Sequence, residues 1–123
     1  MTPNKQKQLA ESAAEFLGAK NNKLKVIDSG MNCQVYEVHS IVISEYNLFY
    51  SCIYAPILMH LGKREMEKRE FEWELATIWI KPGIRGYQCE VYGFEKNNYS
   101  TEGVCSHENE FIAFWSAVRE AVK

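Results

Sequence analysis

A chain of 123 residues has the ordinary length of one domain and buries roughly two-thirds of its unfolded surface on folding, so residues 1–123 are expected to fold as a single unit without staples. Its composition, 46% hydrophobic and 24% charged, is that of an average globular protein, and its apolar runs fall well short of the ~20 residues of a spanning helix. A net charge of −2 supplies no general phosphate-binding surface; neither nucleic acid nor membrane is an expected partner.

The polar start at Met1 and Thr2 leads into no apolar export segment, so the expected location is cytoplasmic. There the four cysteines, Cys33, Cys52, Cys89 and Cys105, are read as free thiols, with no C-x-x-C pair to suggest zinc or a redox motif. An oxidising compartment would allow them two disulfides.

The first predicted element is a helix, with Thr2 as its cap, Pro3 at its first position, and Leu9, Ala13, Phe16 and Leu17 on one stripe widened by Ala10 and Ala14. Gly18 ends it. Residues 23–27 read as a strand, Asp28, Ser29 and Gly30 as a turn, and residues 33–43 as one bent strand or two short ones, irregular between Glu37 and Ser40.

Residues 46–61 have helical spacing at Leu48, Phe49, Cys52, Ile53, Ile57 and Leu61, but Pro56 would interrupt a continuous helix. A mostly helical segment is preferred over a strand through Tyr54 followed by a short helix. The mixed charges of residues 63–70 suit a solvated helix end or an exposed connection.

From Phe71 the period becomes two, with Phe71, Trp73, Leu75, Thr77 and Trp79 on one face and Glu70, Glu72, Glu74, Ala76, Ile78 and Ile80 on the other. The second face passes from acidic to apolar, which predicts a strand running from solvent into a region covered on both sides. Pro82 and Gly83 supply a hairpin turn, residues 87–94 the return strand, Asn97 and Asn98 a further turn, and residues 99–104 a short edge strand. A last helix, capped by Ser106, carries Phe111, Phe114, Trp115, Val118 and Val122 on one face. The expected fold class is therefore α+β: a mainly antiparallel sheet of about five strands flanked by N-terminal and C-terminal amphipathic helices, with a short central helix.

Chemistry has few places to reside. Cys105, Ser106, His107 and Glu108 would set a thiol at a helix N-terminus beside an imidazole, the setting that lowers a thiol pKa, but a cap with incidental Cys and His is the simpler reading. A metal site would need Cys33, His39 or Cys89 to join Cys105 and His107, without the two close pairs that zinc sites show. His60 fits a half-buried histidine bonded to a carbonyl. Gly83 and Gly86 lie in a hairpin, not in a phosphate-binding turn. No catalytic residue, metal or cofactor is assigned.

Tyrosine and tryptophan are abundant, and the candidate binding residues are Trp73, Trp79, Tyr87 and Tyr92 with the acidic row Glu70, Glu72 and Glu74, which suits a basic partner. The leading expectation is a non-enzymatic interaction domain whose aromatic sheet face or edge, with a terminal helix, meets a protein partner or a second copy in a homodimer. The alternative is a small-molecule binder or small enzyme of a cone-like α+β kind. In it, those aromatics, beside His39, His60 or Glu90, would line a pocket for a small apolar or aromatic ligand.

Overall fold

The computed structural model describes residues 2–26, 32–95 and 98–122. The expected turn at residues 28–30, and Asn97, lie outside them. Helix α1 spans Pro3–Phe16, with Pro3 at its start and Thr2 accepting from the Lys5 amide at 3.3 Å. It buries Leu9, Ala10, Ala13, Ala14 and Phe16, the predicted stripe.

Gly18, at φ 64°, then takes the left-handed position, while its own amide and that of Ala19 return to the Glu15 and Ala14 carbonyls. This is the double bond of a Schellman ending, and glycine meets it without a Cβ clash.

Strand β1 (Lys20–Val26) pairs antiparallel with β2 (Asn32–Val38), which pairs with the two-residue β3 (Ile41–Val42). The predicted irregularity is a two-residue hairpin: Val38 faces Ile41 across His39 and Ser40, whose φ angles are 49° and 64°. Two successive left-handed residues match the right-handed strand twist, as in a type I′ turn.

Two short helices follow. Ser44 caps α2 (Glu45–Phe49) by accepting from the Asn47 amide at 3.1 Å. Buried Ser51 accepts from the Ile53 and Tyr54 amides and opens α3 (Tyr54–Lys68). Pro56 is the third residue of α3, inside the first turn, where a missing N–H forfeits no helical bond. It therefore sits in the opening turn of a helix and does not interrupt one. Ala55, Leu58, Met59, Gly62 and Met66 form the buried face, and the charged run is the exposed end of the same helix.

The second sheet is a meander of β4 (Glu72–Lys81), β5 (Ile84–Glu95) and β6 (Asn98–His107). Pro82 and Gly83 join β4 to β5; Gly83, at φ 81°, occupies the position a type II turn reserves for glycine. The α+β class is as expected, antiparallel throughout and bracketed by helices. Among the described residues the strands number six and divide into two three-stranded sheets.

Helix α4 (Glu110–Ala121) begins later than predicted, because β6 continues through Ser106 to His107. Its cap is Asn109, not Ser106: the Asn109 Oδ1 accepts from the Phe111 and Ile112 amides at 2.9 and 3.1 Å. The Asn109 Nδ2 also donates to the Phe49 carbonyl at 2.8 Å, joining the start of α4 to the end of α2.

The core lies between the helices and the inner face of the second sheet, centred on Trp115, Phe114, Phe49, Leu48, Leu58 and Val91. The Phe114 and Trp115 rings meet edge-on with centroids 5.0 Å apart. Close packing there requires glycine: a Cβ on Gly103 would lie 2.1 Å from the Ala117 carbonyl oxygen, so α4 rests directly on the backbone of β6. At the far end of the helical layer, Arg69 donates to the Phe16 carbonyl at 3.1 Å, pairs with Glu65 at 3.1 Å, and lies over the Phe16 ring. It thereby fastens α3 to the end of α1.

Candidate functional site

Strand parity sorts the sequence-predicted binding residues onto two surfaces. Trp73, Leu75, Thr77 and Trp79 share the face of β4 that looks toward α4, as their partners Val91, Cys89, Tyr87 and Arg85 do on β5. Glu72 and Glu74 lie on the opposite face, across from Tyr92 and Glu90. The four aromatics therefore do not converge on one pocket: Tyr92 is on the outer face and the other three on the inner.

On the inner face burial falls along the hairpin. Trp73 is half-buried against the core, Tyr87 sits between Thr77 and His107 in register, and Trp79 is 61% exposed. The Arg85 guanidinium lies over the Trp79 ring, 4.6 Å from its centroid, a cation–π contact. The expectation that β4 runs into a region covered on both faces is thus overturned. Its apolar end, with Trp79 and Ile80, is exposed, because the long hairpin continues past the end of the sheet that α4 covers. Around that tip Trp79, Ile80, Lys81, Pro82 and Gly83 border an open depression of about 540 Å³.

On the outer face the Tyr92 hydroxyl donates to the Glu90 carboxylate. That bond, with lesser contributions from burial and the negative charge of Glu90, pushes the Tyr92 pKa up to about 12. Glu70 is not part of this row. It lies beyond α3 at φ 62°, with its amide and that of Phe71 returning to Glu67 and Met66. It thus fills the left-handed place in a second Schellman ending.

Cys105 and His107 are strand residues, so no helix N-terminus faces the thiol. His107 instead accepts the Asn109 amide on Nδ1 at 2.9 Å. Burial lowers its pKa, and the accepted hydrogen bond also favours the neutral ring. Among the described residues no three His, Cys, Asp or Glu side chains gather as metal ligands would, and no helix is long and apolar enough to cross a membrane.

The strongest surface feature lies on the central helices. Of the nine large apolar side chains left exposed among the described residues, five are Tyr46, Tyr50, Ile53, Tyr54 and Ile57. Tyr46 and Tyr50 are four residues apart on one side of α2, Tyr54 and Ile57 three apart on α3, and Ile53 joins them. The helical periodicity of residues 46–61 and their aromatic content were visible in the sequence, but which apolar residues turned outward was not.

A separate groove of about 550 Å³ between α1, the end of α3 and α4 is lined by Gln8, Glu11, Ser12, Glu15, Arg69 and Arg119, among others. Its charges are mixed. Comparison with family profiles, curated proteins and solved structures returns no match.

Proposed function

We propose that the chain is a protein-interaction domain acting by docking, and that its first partner is a second copy of itself met through the face of α2 and α3. The observation that carries this reading is the set of exposed apolar side chains Tyr46, Tyr50, Ile53, Tyr54 and Ile57, each at least 41% exposed, among which the Tyr50 hydroxyl accepts from the Gln6 side-chain amide at 2.9 Å. Together they offer roughly 500 Å² per chain, so two copies would bury about 1,000 Å², near the lower bound of a specific interface.

The set contains no charged side chain. Across a twofold axis each group meets its own copy, so a charge at the centre would face a like charge, whereas an apolar, hydroxyl-tipped surface complements itself. The sheet contribution foreseen from sequence is then the exposed tip at Trp79 and Ile80, which suits apolar groups, and the acidic strip of Glu72, Glu74 and Glu90 at the other end of the hairpin, which suits basic ones.

The test is a molar mass by light scattering on a sizing column for the native chain and for an Ile53→Lys, Ile57→Lys variant. The native chain should elute with the mass of two chains and the variant with that of one, their far-ultraviolet circular dichroism being the same. A native chain that stays single at about 100 µM would sink the proposal, since association follows concentration. A variant that still pairs would move the interface elsewhere.

The alternative, a small apolar or aromatic ligand, finds its best support in the open depression at the hairpin tip. Partition of a hydrophobic dye into the native chain, lost on Trp79→Ala and kept in the Ile53→Lys, Ile57→Lys variant, would favour it.

A further inference from the structure

The meander sets two cysteines face to face. Cys89 of β5 and Cys105 of β6 are register partners, and directly opposed residues of antiparallel strands carry their side chains on the same face. Their Cα atoms are then about 4.5–5.5 Å apart, inside the roughly 4.4–6.8 Å span of disulfides. Both thiols are free; Cys89 is fully buried under α4 and Cys105 is half-buried at the margin of the core. The proposed interaction surfaces use neither.

We propose that Cys89 and Cys105 form a redox modification site that closes as an intrachain disulfide between β5 and β6 on exposure to a small disulfide such as oxidised glutathione. Reaction begins at Cys105, the thiol that solvent reaches. Its thiolate attacks one sulfur of the oxidant, forming a mixed disulfide as the oxidant's S–S bond breaks and one glutathione leaves as thiolate.

Cys89 then gives its proton to water or to that thiolate and attacks the Cys105 sulfur, displacing the second glutathione. Two protein thiols are oxidised to one disulfide, and one oxidant disulfide is reduced to two thiols. Burial, then the neighbouring Cys105, pushes the Cys89 thiol up to about 12, which bars it from the first attack; the second step is carried by its place opposite Cys105, which makes that attack intramolecular.

The experiment uses the full chain carrying Cys33→Ser and Cys52→Ser, treated with oxidised glutathione at mildly alkaline pH and read by intact mass and peptide mapping. The expected product is about 2 Da lighter than the reduced chain, reverts with dithiothreitol, and yields one cross-linked peptide pair containing Cys89 and Cys105. Mapping of the unsubstituted chain should give the same cross-link. A persistent mixed disulfide about 305 Da heavier, a disulfide-linked dimer, or no reaction would overturn the proposal. In a Cys105→Ser chain Cys89 should stay unmodified; its modification in the folded protein would overturn the order of attack.

Discussion

Asn109 makes three hydrogen bonds with one side chain, two accepted from the first turn of α4 and one donated to the last carbonyl of α2. Asn109→Ala removes all of them. Loss of an N-cap costs about 1 kcal/mol, and leaving the part-buried Phe49 carbonyl without its donor adds about 1–1.5 kcal/mol, so the expected destabilisation is about 2–2.5 kcal/mol. Asn109→Ser separates the contributions, because its hydroxyl can cap the helix but is too short to reach Phe49; it should cost about 1–1.5 kcal/mol. Urea unfolding followed by circular dichroism reads both. With a slope of about 1.5 kcal/mol/M, the midpoint should fall by about 1.5 M for alanine and about half that for serine, the slope staying unchanged. If serine cost as much as alanine, the second attachment would be the only one that matters; if alanine cost less than about 0.5 kcal/mol, the side chain would not join the two helices in solution.

Other substitutions test other parts of the fold by the same unfolding measurement. Gly103→Ala places a methyl 2.1 Å from the Ala117 carbonyl oxygen, and because a backbone atom cannot yield as a side chain can, a loss of about 3 kcal/mol is expected; a loss under 1 would mean that α4 does not rest on β6. Glu70→Gly relieves a left-handed residue at φ 62° and should stabilise by about 0.5 kcal/mol, after subtracting glycine's greater freedom when unfolded; destabilisation would refute the helix ending described for α3. His107, with its pKa lowered by burial, binds a proton less readily folded than unfolded. Its contribution is therefore full above the unfolded pKa of about 6.5 and is lost as pH falls below that value toward the lower folded pKa. A His107→Gln chain, whose amide oxygen can accept the Asn109 amide at any pH, should lose less thermal stability between neutral and mildly acidic pH than the native chain does; identical profiles would remove His107 from the account.

The sequence announced those parts of the fold whose residues match their backbone positions. Gly18 and Gly83 are such cases, each a glycine at positive φ where only glycine is at ease. The ending of α3 has the same geometry with Glu70 in the special place, and the β2–β3 turn has His39 and Ser40 where Asn-Gly would have been the signal. In both, the residues are exposed, and the backbone bonds and strand pairing around them fix a conformation that the local residue does not prefer. Ser106 is as good a cap as Asn109 by type, and only the length of β6 decides between them.

The sheet chemistry was legible as composition and illegible as arrangement. Trp79 and Tyr92 point to opposite sides because the register and parity put them there, and the Cys89–Cys105 pairing depends on a register that no residue spacing reveals. The exposure of Trp79 follows from hairpin length relative to α4, a comparison between segments far apart in the chain.

The hairpin of β4 and β5 has an electrical direction as well as a shape. Glu72, Glu74 and Glu90 lie toward its base, while the exposed Lys81 and Arg85 flank its tip. At ~3.3 Å per residue the charges of the two groups are separated by roughly 17–30 Å, more than the ~8 Å Debye length of physiological salt, so each end presents its own sign to an approaching molecule. Such a dipole turns an encounter before contact, bringing the Trp79 tip toward negative surfaces and the base toward positive ones. Its effect falls on the rate of association more than on the lifetime of the complex, and it fades as salt is added.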